Sequence, residues 1–165
     1  FGTAEQQRRA TAKLERCRAW LRDTAPRAGD VEDHVFRLWA MKLAGVDEES
    51  LRRSADQLKQ LQHSDGGWSQ LLDQPSDAYA TASALVVLGR VQPSSRLEFS
   101  YHRGLAALRS MQLSDGTWKV VSRSKPFQTY FESGFPHGKD QFISMAATSW
   151  AIAALCDAQS AAKSP

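Results

Sequence analysis

Five letters at fixed spacing recur fifty positions apart, in QHSDGGW at residues 62–68 and QLSDGTW at 112–118. Each copy follows an amphipathic stretch and precedes an apolar one, and that alternation restricts the folds open to the chain. Ahead of the first copy, Leu51, Ala55, Leu58 and Leu61 are spaced four, three and three apart. Ahead of the second, Leu97, Tyr101, Leu105, Leu108 and Met111 repeat the stripe. Both patterns predict helices with one apolar face and a charged outer face. After the first copy, SDAYATASALVVLG has no charge from Ala78 to Gly89; after the second, QFISMAATSWAIAALC has none from Gln141 to Cys156. A helix apolar all round must be buried all round, and the many Ala, Ser and Thr residues let neighbours approach closely.

The first third of the chain repeats the plan in a worn form. Residues 5–23 predict a charged helix with Leu14, Cys17, Trp20 and Leu21 on one face. TAPRAGD (24–30) breaks it, and EDHVFRLWAMKLAGV then predicts a more apolar helix ending at Gly45, where LAGV echoes LGRV at 88–91. Three helical hairpins follow, stacked as repeats in one all-α domain over 1–165. Outer helices half exposed and inner helices fully buried describe the arc of an α/α toroid; a flat solenoid of hairpins is the alternative. Three hairpins form only a partial barrel. The chain, which starts at Phe1, reads as a piece of a longer one, with an open flank left for the rest of that chain or for self-association.

Composition removes several function classes. With 42% hydrophobic residues among 165, the chain can bury a core, but no uncharged run is long enough to span a bilayer. The net charge of +3 is scattered, and no basic block interleaved with aromatics points to nucleic acid. Cys17 and Cys156 are far apart and read as small buried apolar groups.

The repeated turn has a structural reading. Gly66 and Gly116 relax the backbone after a helix, Asp65 and Asp115 bond local amides, and Trp68 and Trp118 are large anchors with one N–H each. Gln62 and Gln112 can reach free backbone groups of a neighbouring helix end. Gly67 completes the first copy. A calcium loop needs several oxygen-bearing side chains at alternate positions, and each turn has one Asp.

The stretch RGLAALRSMQLSDGTW resembles the QW repeat of squalene-hopene cyclases and related class II terpene cyclases. RRSADQLKQLQHSDGGW resembles it less fully, with Ser54 where Gly or Ala is usual. The resemblance extends over about residues 50–155, because SDAYATASALVVL and SGFPHGKDQF are similar to segments following the last two repeats of those enzymes. It implies a toroid of six hairpins, with this chain as a C-terminal fragment in its C-terminal half, in which Gln and Trp brace successive helices. It also implies an apolar cavity for an isoprenoid-like ligand, with Phe135 of Gly-Phe-Pro in the wall. Phe142 is added by its nearness, Tyr79 and Trp150 as neighbours from the inner helices, and His137 and Asp140 at a wet rim.

The chemistry of that family is less complete here. Class II cyclases protonate an alkene with an Asp of D-x-D-D-T-A, and the nearest string is Asp77-Ala78-Tyr79-Ala80-Thr81-Ala82. Only the first Asp and the Thr-Ala match. Asp77 reads first as a helix cap; Asp77, His137 and Asp140 are the catalytic candidates. The connector from Trp118 to Gln141 holds Phe127, Tyr130, Phe131 and Phe135, and it either lines a cavity or caps one end of the barrel. Protein prenyltransferases share the toroid and bind zinc through Asp, Cys and His. Here Cys156 is a full helix away from His137 and Asp140, and His34, His63 and His102 are isolated, so neither a metal nor another cofactor is expected. Three functions stay open: a cyclase-like fragment, a non-catalytic toroid binding a lipid, peptide or partner domain, and a carbohydrate-active toroid using Asp73, Asp77, Glu132 or Asp140.

Overall fold

Aspartate side chains set the starts of three helices. Asp30 accepts from the Asp33 N–H at 2.8 Å, Asp47 from Ser50 at 2.9 Å and Asp77 from Ala80 at 3.0 Å. Each satisfies an N–H that has no partner within its own helix. In a computed structural model, which describes residues 2–24, 29–123 and 131–162, these caps open α2 (Val31–Ala44), α3 (Glu48–Gln60) and α4 (Ala78–Val91). They are joined by α1 (Ala4–Thr24), α5 (Phe99–Ser110) and α6 (Gln141–Ala162), and no strand occurs among the described residues. Gly45 ends α2 in the left-handed region at φ 70°, where the Val46 N–H reaches back to Met41 O at 3.0 Å. Phe127 and Tyr130 lie outside the described residues.

The helices do not pair as the hairpins read from the sequence: α3 and α5 have their main contact with the apolar helix before each, α2 and α4, and less with the one that follows. Helix α4 lies between α2 and α6, its most extensive contact being with α6, while α1 and α3 pack on α2 and α5 packs on α4. Every residue of α4 is buried except Arg90, whose guanidinium pairs with Asp157 at 2.7 Å. Ala147, Ala151 and Ala154 are fully buried along α6, and their small side chains permit the close approach to α4. Among the described residues no contact between α1 and α6 closes the row into a ring. None of these helices is long and apolar enough to cross a membrane.

Four further expectations are corrected. Helix α6 is not buried all round: Phe142, Met145, Ser149, Ile152 and Cys156 form an exposed stripe opposite its alanine face, because no further helix packs there. Leu97 is 86% exposed rather than part of the α5 stripe. A 3₁₀ turn over Pro93–Leu97 and extended backbone at Glu98 (φ −79°, ψ 146°) reset the helical phase before α5 begins. On α1 only Leu21 is buried, while Leu14, Cys17 and Trp20 are exposed at the end of the row. Cys17 and Cys156, expected in the core, are both exposed free thiols, since each lies at an end of the row where no neighbour covers it.

Candidate functional site

The two repeated turns share one set of hydrogen bonds. Trp68 Nε1–H donates to Leu58 O at 2.8 Å and Trp118 Nε1–H to Leu108 O at 2.7 Å, so each ring is tied to the end of the preceding helix. Asp65 accepts from the Gly67 N–H and Asp115 from the Thr117 N–H, both at 2.9 Å. Gln62 and Gln112 donate across the turn to Gly66 O and Gly116 O at 2.8 and 3.0 Å. The glycines take φ 91° and 85°, a region that L side chains disfavour. A hydroxyl of the following helix then accepts from the tryptophan's backbone N–H: Thr81 from Trp68 at 2.9 Å, Thr148 from Trp118 at 3.1 Å.

Each turn also carries an aspartate, a hydroxyl and a histidine in one chain of hydrogen bonds. The Ser76 hydroxyl donates to Asp65 Oδ1 at 2.9 Å and faces His63 Nδ1 at 3.2 Å. The Thr117 hydroxyl donates to Asp115 Oδ1 at 2.7 Å and faces His137 Nε2 at 2.9 Å. A nucleophilic triad needs the histidine in the middle, taking the hydroxyl proton while the carboxylate orients the ring. Here the hydroxyl is in the middle and gives its only proton to the carboxylate, so His137 must donate from Nε2 to Thr117. The arrangement stiffens a turn and cannot activate a nucleophile. Sequence reasoning missed the relay because Ser76 lies eleven residues from Asp65, with no motif joining them.

These bonds hold the carboxylates ionised. The Gly67 N–H, with the Ser76 hydroxyl adding to it, keeps Asp65 below the usual carboxylate range, and the Thr117 N–H and hydroxyl do the same for Asp115. The resulting stability is fully present above the ordinary carboxylate value of about 3.9. It is lost as the pH falls through the lower folded-state value. Asp65→Asn should therefore show a flatter acid limb than wild type in urea midpoints measured against pH. Parallel acid limbs would mean that Asp65 is not held down in the folded chain.

The residues expected to form a cavity separate into three places. Tyr79 and Phe142 do meet, lining an open groove of about 590 Å³ with Gln70, Ser122, Arg123 and Ile143. The Tyr79 hydroxyl donates to Glu32 at 2.8 Å, a partner 47 residues away that no sequence signal marks. Burial, then the Glu32 contact, pushes that phenol well above its ordinary value. Trp150 stands eight residues beyond Phe142, about 12 Å along the helix. It packs edge-on against Trp39 with ring centroids 5.6 Å apart. Phe135 is 44% exposed and belongs neither to that groove's lining nor to the Trp39–Trp150 pair. A larger groove, about 680 Å³, runs between α5 and the end of α6, with Leu97, Leu105, Leu155 and Ala158 among its apolar lining and Tyr101 its one phenol.

The aromatic-lined isoprenoid cavity is therefore corrected: among the described residues the aromatics form no cluster around a common space. Phe135 is turned out because its neighbours are anchored to other groups. Buried Gln141 donates to Phe131 O at 3.2 Å and accepts from the Ser133 N–H at 3.1 Å, and buried Asp140 accepts from the Ser122 N–H at 2.9 Å. Asp140 is thus in the interior and not at a wet rim, while His137 is half-buried against Thr117. Asp77 is likewise occupied: Oδ1 caps α4, and Oδ2 accepts from the N–H and the side-chain amide of Gln70 at 3.0 and 3.1 Å. No three His, Cys, Asp or Glu side chains among the described residues converge to hold a metal ion. No family model matches the chain, and no curated protein matches it.

Proposed function

We propose that the chain is an arc of a larger α/α assembly: a non-catalytic packing module that docks a further helical hairpin along the open face of α6. The observation that carries this reading is the exposed stripe on α6. Phe142, Met145 and Ile152 are 52%, 41% and 54% exposed, and Ser149 and Cys156 continue the same face at spacings of three and four. Large apolar residues at helical spacing on a face opposite the packed one are what a helix needs to be covered on both sides. The alanine face of α6 already shows how such a helix is covered, since α4 packs there. The candidate acids and the histidine support a structural role, because Asp77, His137 and Asp140 are all engaged in caps and turns.

In dilute solution the chain should bind the apolar dye bis-ANS, and a Met145→Glu/Ile152→Glu double variant should lose most of that signal. Both sites face solvent, so the double variant should keep the wild-type melting temperature. A dilute wild-type chain that leaves the dye dark would sink the docking reading.

A further inference from the structure

The chain contains the same turn twice, and among the described residues only one copy is covered. Over the first, Gln62 Nε2 donates at 2.8 Å to Ser100 O, at the start of α5, as well as to its own turn. One helical turn further on, Arg103 Nη2 donates to His63 O at 3.0 Å and also to Ser64 O. The helix backbone rests directly on the glycine: a Cβ on Gly66 would lie 2.8 Å from Arg103 O. The second turn repeats the donors and acceptors without the helix. Among the described residues Gln112 Nε2 reaches only Gly116 O, and nothing lies within 4 Å of a Cβ placed on Gly116. Gln112, Leu113, Ser114 and Gly116 are all exposed.

The first turn defines the chemistry of the missing occupant. It is a helix that offers a backbone carbonyl to the glutamine, an arginine three residues later for the two turn carbonyls, and a small residue next to that arginine. In α5 these are Ser100, Arg103 and Gly104, with buried Leu108 five positions after the arginine. Helix α3 has the same order in Arg53, Ser54 and buried Leu58, and α1 has it in Arg16, Cys17 and buried Leu21. Helix α1 is also the outer helix at the opposite end of the row, exposed from its start through Cys17. Its outward Arg8, Arg9, Lys13 and Arg16 suit a seat made of the turn carbonyls of Leu113 and Ser114, the first already accepting from the Gly116 N–H at 2.9 Å, and the Asp115 carboxylate.

Resting on the docking reading above, we infer that the 112–118 turn seats α1 of a second copy of this chain, with Arg16 taking the role that Arg103 has on the first turn. The contact joins unlike ends, so it is head-to-tail and continues the repeat from one copy into the next.

The two native thiols report on the two ends, since Cys17 is on α1, Cys156 is on α6, and both are exposed in the single chain. In sedimentation equilibrium the wild-type chain should associate, and alkylation of both thiols by a maleimide should slow as concentration rises. Arg16→Gln, at an exposed site, should leave the melting temperature unchanged and weaken association about tenfold or more, through loss of charge-assisted hydrogen bonds. A chain that stays monomeric at every concentration overturns the inference. Association lost in Ile152→Glu but untouched by Arg16→Gln, with Cys17 still reactive, overturns the seat while leaving the docking reading intact.

Discussion

Trp68→Ala and Trp118→Ala should each lower stability by about 3–5 kcal/mol, the range for a large aromatic removed from a packed core. Both rings are fully buried, and each ties the end of one helix to the turn that starts the next. Truncation leaves a cavity and also frees Leu58 O or Leu108 O from its indole donor. In a chain of this size the loss corresponds to a drop in Tm on the order of 10 °C. Trp68→Phe separates the two contributions, because it keeps most of the ring volume but not the N–H, and should cost about 1–3 kcal/mol. Urea melts measure all three. Wild-type midpoints in both alanine variants would mean that the repeated turn is not a brace.

Much of this architecture was legible because local and tertiary signals agree. Asp30, Asp47 and Asp77 stand where caps are needed, Gly45 stops α2, and the uncharged run from Ala78 to Gly89 becomes the helix with the most covered surface. Burial was less legible, since it depends on neighbours and not on composition. Helices α4 and α6 are similar in composition, yet α4 has helices on every side and α6 has an open flank. The difference has a faint sequence trace: α6 puts Ala147, Ala151 and Ala154 on one face and Phe142, Met145 and Ile152 on the other. Helix α4 has no such division. Cys17 and Trp20 failed as core residues for the same reason, because α1 ends the row.

The site residues were harder still. Phe135 was placed in a wall by likeness to another family's Gly-Phe-Pro, and nothing in its own neighbourhood required that. Its surroundings are set by Asp140 and Gln141, whose side chains hold Ser122 and Ser133. Those are contacts between distant positions, which spacing along the chain does not reveal. Arg103 was within reach, because a basic residue opens each repeated stretch; what it touches becomes evident only when α5 is seen lying across the turn.

The two turn glycines should respond differently to the same substitution, although their backbones nearly coincide. Gly66 has φ 91° and Gly116 φ 85°, so alanine is strained at either position, by about 1–3 kcal/mol. At Gly116 that strain is the whole cost, since the new methyl meets nothing within 4 Å. At Gly66 the methyl would lie 2.8 Å from Arg103 O and 3.0 Å from its carbonyl carbon, and these are helix backbone atoms that cannot rotate away. Helix α5 must then lift from the turn, stretching the bonds from Gln62 to Ser100 and from Arg103 to His63. Overpacking of this kind adds about 1–3 kcal/mol, so Gly66→Ala should melt well below Gly116→Ala in dilute solution. Hydrogen exchange should place the extra loss in α5, with its amides exchanging faster in Gly66→Ala and unchanged in Gly116→Ala. Equal losses in the two variants would mean that α5 does not bear on the first turn, and the contrast between a covered and an uncovered copy would go with it.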